Sequence, residues 1–192
     1  MTYRLDIESP YVDSVQNLVA QMTLSEKIGQ LCLMAGGGYT DHDDVLSAIR
    51  QGLVGGVLNE VEKANIRELQ RVAVEESRLG IPLLFGRDVV HGFKTIFPIP
   101  LGLAACWSRE TVRDCARASA LEAAASGINW TYAPVLDIGR DPRWGRIAET
   151  FGEDPYFVSE LAKAMVVGFQ GDDLSRPEHI AACAKHFVGY GA

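Results

Sequence analysis

The stretch Asp137-Ile138-Gly139-Arg140-Asp141-Pro142-Arg143-Trp144-Gly145-Arg146-Ile147-Ala148-Glu149-Thr150-Phe151-Gly152-Glu153-Asp154-Pro155 concentrates charge, glycine and proline between two strongly patterned segments. On its left, Ile128 to Leu136 is rich in β-formers and ends in an apolar run, which reads as a buried strand. On its right, Asp154 as N-cap and Pro155 at the first helical position open a helix whose Phe157, Leu161, Ala164, Met165 and Gly168 share one face. A strand-to-helix connection usually takes about 2–6 residues, and much longer ones in compact domains are functional or disordered. A tryptophan flanked by Arg143 and Arg146, with Pro142 and Gly145 fixing the path, argues against disorder. The stretch therefore reads as a site carried at the end of a strand.

The same alternation continues on both sides. Residues 10–22 carry Val15, Leu18, Val19 and Met22 at helical spacing, a surface helix. Thr23-Leu24-Ser25-Glu26 is a capping box that opens a second, short helix. Leu31 to Met34 reads as strand one, a capped helix around Asp43 to Arg50 closes at Gly52, and Val54 to Leu58 is strand two. Glu62 to Leu79 is a helix with Ile66, Leu69 and Ala73 inward and Gly80 as its stop, and Leu83 to Phe85 is strand three. Phe93 to Trp107, with Pro98 and Pro100, reads as a loop that excludes helix. Ser108 caps the next helix, Gly127 ends it, Ile128 to Leu136 is strand four and Ile180 to Cys183 strand five. Strands alternating with helices imply a parallel sheet with right-handed crossovers.

An open doubly wound sheet and a closed (β/α)8 barrel both satisfy that order. No Gly-x-Gly-x-x-Gly joins a strand to a helix, no Walker-type Gly-Lys-Ser/Thr is present, and Gly36-Gly37-Gly38 is a weak phosphate signal. The expected fold is therefore α/β, a TIM-type (β/α)8 barrel. A complete barrel takes about 250 residues, so residues 1–192 are expected to hold about its first five βα units.

With 192 residues, 47% hydrophobic and 22% charged, the composition is that of one globular domain with ample core. The formal charge of −7 and pI near 5.1, without any basic run, argue against nucleic acid or an anionic membrane and for a neutral small ligand. The opening residues hold Asp6, Glu8, Asp13 and Glu26 and no long apolar run, so no signal peptide or membrane span is read there. The chain as written is expected to be cytoplasmic, or periplasmic or secreted if it is a processed form. Cys32, Cys106, Cys115 and Cys183 match neither a disulfide framework nor a zinc ribbon and are expected as buried thiols. His42 and His179 are expected at solvated element ends. No metal and no cofactor are expected.

In parallel α/β folds ligands lie at the carboxyl ends of the strands. Three ends stand out: Gly86-Arg87-Asp88-Val89-Val90-His91-Gly92 after strand three, Arg143 and Arg146 after strand four, and Lys185-His186-Phe187 after strand five. All are expected to face one mouth. The plainer alternatives are an N-cap or surface carboxylate for Asp88 and a solvated strand end for Lys185-His186. A carboxylate, a guanidinium, an ammonium and an imidazole together suit a polyhydroxylated ligand, since each sugar hydroxyl both donates and accepts. Phosphate would also suit Arg146 and Lys185, but Asp88 would repel it. Trp144 is expected as an anchor packed beneath Arg143 and Arg146. On residue chemistry alone Asp88 could be a catalytic carboxylate, because retaining glycoside hydrolysis needs two of them ~5–5.5 Å apart.

These residues carry a resemblance. Met22 to Leu31, Asp88-Val89-Val90-His91-Gly92 with Thr95-Ile96-Phe97-Pro98, Ala133-Pro134-Val135-Leu136-Asp137, Arg140 to Arg146 with Phe151 to Pro155, and Lys185-His186-Phe187 resemble, in order, the N-terminal barrel of glycoside hydrolase family 3. The nearest branch is the bacterial β-glucosidases. The resemblance implies that Asp88, Arg146, Lys185 and His186 hold the hydroxyls of the non-reducing sugar in the −1 subsite, with Glu149 orienting Arg146 or Lys185 from behind. It implies that the nucleophilic Asp and the acid/base Glu lie beyond Ala192. The partners it implies are a small β-glucoside or oligosaccharide, together with the remaining barrel strands and C-terminal domain of the same polypeptide. A β-N-acetylglucosaminidase, a β-xylosidase, a non-catalytic sugar-binding half-barrel and a phosphate-binding aldolase-type barrel are the alternatives. Residues 1–192 alone are expected not to hydrolyse glycosides and, with strands one and five left as edges, to self-associate. Sedimentation and an aryl β-glucoside assay test this; a soluble monomer with steady turnover would place a carboxylate pair within these residues.

Overall fold

The computed structural model describes residues 11–187 and 189–191. Residues 1–10, on which part of the leader reading rests, lie outside the described residues. Among these residues four strands, β1 (Leu33–Ala35), β2 (Gly56–Leu58), β3 (Leu84–Arg87) and β4 (Trp130–Thr131), form one parallel sheet in the order β1-β2-β3-β4. Val57 is the partner of Met34 on one side and of Phe85 on the other, and Gly86 is the partner of Trp130. Spatial order equals chain order, so each unit steps one place along the wall in a constant direction. A doubly wound sheet would reverse that direction at a switch point, whereas a barrel wall does not. Two isolated parallel bridges, Trp130 with Ala181 and Val135 with Lys185, lay the fifth segment beside β4.

The helices are α1 (Val12–Gln21), α2 (Leu24–Gly29), α3 (His42–Arg50), α4 (Lys63–Glu75), α5 (Pro100–Ala104), α6 (Arg109–Ala124) and α7 (Pro155–Gln170). The core lies between strands and helices: Val57 and Phe85 from the sheet meet Val45 and Ile49 of α3 and Leu69 and Val72 of α4, all essentially buried. Their spacing follows the helical repeat, which turns one stripe of each helix to the sheet. Local chemistry sets the helix starts. Thr23 and Glu26 form the reciprocal capping box of α2, Ser108 accepts from the Thr111 amide, and Asp154 accepts from the Phe157 amide with Pro155 at the first helical position.

Several expectations change. Pro100 does not exclude helix from the segment 93–107; it sits at the first position of α5, where proline's missing N–H is not needed. The capped helix expected around Asp43 to Arg50 is α3, and Asp41 is the residue whose side chain caps it. The helix expected over Glu62 to Leu79 is shorter, Lys63–Glu75. Strand four pairs regularly only at Trp130–Thr131, since Pro134 has no amide to donate, and strand five is reduced to the two bridges. α1 has no buried residue, as its surface reading requires.

The packing of α6 on α7 depends on Gly168. A Cβ there would collide with the Arg113 carbonyl and sit 2.7 Å from Ala116 Cβ. Both obstacles belong to the α6 body, so neither moves without moving the helix. Gly168→Val is expected to lower unfolding stability by about 1–3 kcal/mol through overpacking. Gly145→Ala, whose Cβ meets nothing within 4 Å, is the control and should change it by less than ~0.5 kcal/mol in urea unfolding.

Candidate functional site

Asp88 follows β3 directly, and Lys185 ends the fifth segment. Lys185 Nζ donates to Asp88 Oδ1 at 2.7 Å across the mouth of the sheet. The ammonium side chain is only 15% exposed while the carboxylate is 54% exposed, so the acceptor remains open to solvent. An ion pair this exposed contributes little to stability, and what the contact does is fix a donor beside an acceptor.

The next residue, His186, makes a different contact. Its Nδ1 lies 2.7 Å from Oδ2 of Asp137, whose side chain is fully buried. Lys185 and His186 are joined by a cis peptide. The Leu136 amide donates to the Lys185 carbonyl at 2.6 Å, which sets the strand end bearing Asp137 against Lys185-His186. Tyr190 packs edge-on to His186, with ring centroids 5.0 Å apart. Asp137, Leu136, Arg140, His186 and Tyr190 line an open cavity of about 530 Å³.

Arg146 is held from behind by Glu149 through a two-pronged pair, Nε to Oε1 at 2.6 Å and Nη2 to Oε2 at 2.7 Å. Its guanidinium carbon stands 5.4 Å from the centroid of Tyr190. Of the two orientations open to Glu149, the structure shows the one toward Arg146. The pair reinforces both charges: the Glu149 carboxyl is held below its ordinary range by the Arg146 hydrogen bonds, and the Arg146 guanidinium is pushed further up. The site thus consists of two clusters, Asp88 with Lys185 and Asp137 with His186, the second extended through the Tyr190 ring to Arg146 and Glu149.

Trp144 anchors something other than the arginines. It is half-buried, its ring meets Tyr190 edge-on at 5.5 Å, and Gly191 packs under it, while Arg143 turns outward to pair with Asp141. It supports Tyr190, and through it the His186 side of the cavity. Asp137 is the main residue that the sequence reading left without a role. Its signal was present, because it ends the apolar run Ala133 to Leu136 just as Asp88 follows the apolar β3.

Two buried polar atoms, Asp137 Oδ1 and Tyr132 Oη, have no hydrogen-bond partner among the described residues. Each such atom costs on the order of 1–3 kcal/mol. Burial pushes the Tyr132 hydroxyl up to about 12, so it stays a neutral donor. Its ring lies over β3, where a Cβ on Gly86 would collide with the hydroxyl. Among the described residues no three His, Cys, Asp or Glu are grouped to hold a metal ion, and no helix is long and apolar enough to cross a membrane. The cysteines are free but not buried: Cys32 and Cys106 are exposed, Cys115 and Cys183 half-buried. His179 is buried rather than solvated, its Nδ1 against the Asp173 carbonyl. His42 stays at the surface, paired with Glu68.

The sequence profile described as the glycosyl hydrolase family 3 N terminal domain matches residues 23–192. The chain is 44% identical, over 93% of its length, to 23% of a periplasmic beta-glucosidase of Salmonella typhimurium. It is 32% identical, again over 93% of its length, to 26% of a putative beta-xylosidase of Formosa agariphila. Among solved structures, the beta-glucosidase of Listeria innocua in complex with glucose superposes with a TM-score of 0.81 at 45% identity, covering 94% of this chain and 27% of that one. The chain spans about a quarter of the length of these relatives.

The sign of the Glu149 shift gives a pH test. A carboxyl held below the ordinary glutamate range contributes stability above that range and loses it only as pH falls through its lower, folded value. The protected Arg146 Nε–H signal should therefore persist as pH falls through the ordinary glutamate range near ~4.3, and should weaken at neutral pH in Glu149→Gln. Loss of the signal in the unsubstituted protein already at that pH would contradict the pairing.

Proposed function

The chain belongs to glycosyl hydrolase family 3, and from that membership and the strand-end geometry we propose that it forms the N-terminal part of the barrel of a retaining, exo-acting β-glucosidase. In this reading residues 1–192 supply the −1 subsite for a terminal β-D-glucosyl residue, while the nucleophile and acid/base come from other parts of the polypeptide. The observation that carries it is the Lys185–Asp88 contact, which puts an ammonium donor and a carboxylate acceptor from two strand ends at one point. A pair of neighbouring sugar hydroxyls matches that arrangement, one donating to Asp88 and the other accepting from Lys185. Arg146 adds a fixed fork of donors and His186 a ring nitrogen. Hydrolysis then proceeds through a covalent glycosyl-enzyme on the nucleophilic carboxylate, while the acid/base carboxyl ~5–5.5 Å away protonates the departing oxygen and afterwards activates the water that releases the sugar.

The similarity to a relative named as a xylosidase favours a second reading, β-xylosidase, in which the sugar lacks the hydroxymethyl arm. Parallel assays with aryl β-glucoside and aryl β-xyloside separate the two. The relative named as periplasmic supports the periplasmic or secreted alternative for location.

In the full-length protein, Asp88→Ala and Lys185→Ala should each lower kcat/KM on an aryl β-glucoside by about tenfold to a hundredfold. A charge-assisted hydrogen bond is worth roughly 1.5–3 kcal/mol, which converts to that range. Glu149→Gln, acting only through Arg146, should lose less than Arg146→Ala. Near-normal turnover in either alanine variant would remove that residue from the subsite.

A further inference from the structure

Asp137 is 4% exposed, carries one hydrogen bond to His186 and leaves its other oxygen unpartnered. A carboxylate retained for packing alone would be a poor choice there, because an apolar side chain of similar size would need no partner. We propose that Asp137 is a positioning residue that fixes the Nδ1–H tautomer and the ring orientation of His186, so that Nε2 is presented to a hydroxyl of the bound sugar. This rests on the sugar-binding reading of the strand ends.

For a neutral imidazole the chemistry of the two groups leaves one arrangement. An ionised carboxylate only accepts, so the imidazole nitrogen 2.7 Å from it must donate. In neutral imidazole the proton on Nδ1 leaves Nε2 as the acceptor, and among the described residues Nε2 makes no hydrogen bond. The ring cannot easily turn to exchange the two nitrogens. Tyr190 packs edge-on against it, Trp144 supports Tyr190, and the Leu136–Lys185 backbone bond holds the two segments together. His186 therefore faces the cavity with a defined acceptor, beside a Lys185 that only donates and an Asp88 that only accepts. The subsite presents a donor and two acceptors of different geometry, which discriminates among the orientations of a sugar's hydroxyls.

Asp137→Asn tests this without changing the shape of the side chain. An amide can donate as well as accept, so it permits the other tautomer. In the full-length protein, the long-range proton–nitrogen NMR correlation of His186 should report Nδ1–H in the unsubstituted protein and a mixture or Nε2–H in Asp137→Asn. On an aryl β-glucoside, Asp137→Asn should lower kcat/KM by about tenfold to a hundredfold, the scale at which losing a histidine's orienting partner is felt in metalloenzymes. In a His186→Ala background the same substitution should add less than about twofold, because residues acting through one another do not add. An equal loss in both backgrounds, or an unchanged tautomer, would overturn the proposal. An unsubstituted protein without β-glucosidase activity, or a His186→Ala variant as active as it, would instead count against the sugar-binding reading. The NMR measurement would still decide whether Asp137 sets the tautomer.

Discussion

Parallel pairing in sequential register is the constraint on which the rest of this structure depends. It sends every strand's carboxyl end to the same side, so residues far apart in the chain are delivered to one mouth without any dedicated long-range contact. Asp88 and Lys185 meet at 2.7 Å for this reason, each lying at the end of its own strand segment. The bridges Trp130 with Ala181 and Val135 with Lys185 set the advance of the fifth segment, so they also set where Lys185 and His186 emerge.

Buried carboxylates show which parts of the mouth are frame and which are working surface. Glu60, 3% exposed, accepts from the amides of Gly37, Val61 and Glu62 and from the Asn65 side chain, tying the loop after β1 to the loop after β2. Burial alone would push its carboxyl up, but the amide donors hold it below the ordinary range. Every lone-pair direction it offers toward these loops is used, as a structural carboxylate should be. Asp137, equally buried, keeps one oxygen idle, and among the described residues Tyr132 keeps its hydroxyl idle too. The idle oxygen of Asp137 belongs to the carboxylate that holds His186, and the Tyr132 hydroxyl lies against Gly86 of β3, the strand that leads to Asp88.

Much of this was legible in the sequence because it is written in local chemistry. The caps at Thr23, Ser108 and Asp154, the stop at Gly127 and the alternation of strand and helix each depend on a few neighbouring residues. The three strand ends were legible because a polar residue following an apolar run marks where a strand leaves the core. What was not legible depends on partners distant in the chain. Pro100 looked like a helix breaker because its position within the turn was unknown. The cysteines looked buried because their elements are apolar, although Cys32 precedes the edge strand β1 and Cys106 follows the short α5. The partners of Trp144 and Asp137 both come from the segment after residue 185, which no local pattern could connect to them.

The most direct measurement is a crystal structure of the full-length protein with glucose bound. If the strand ends form the −1 subsite, the hydroxyls of one sugar ring will lie within ~2.5–3.2 Å of Asp88, Lys185, Arg146 and His186 Nε2, with Asp137 still on Nδ1. Glucose bound elsewhere, with Lys185 remaining on Asp88 and the cavity beside His186 empty of sugar, would contradict the account.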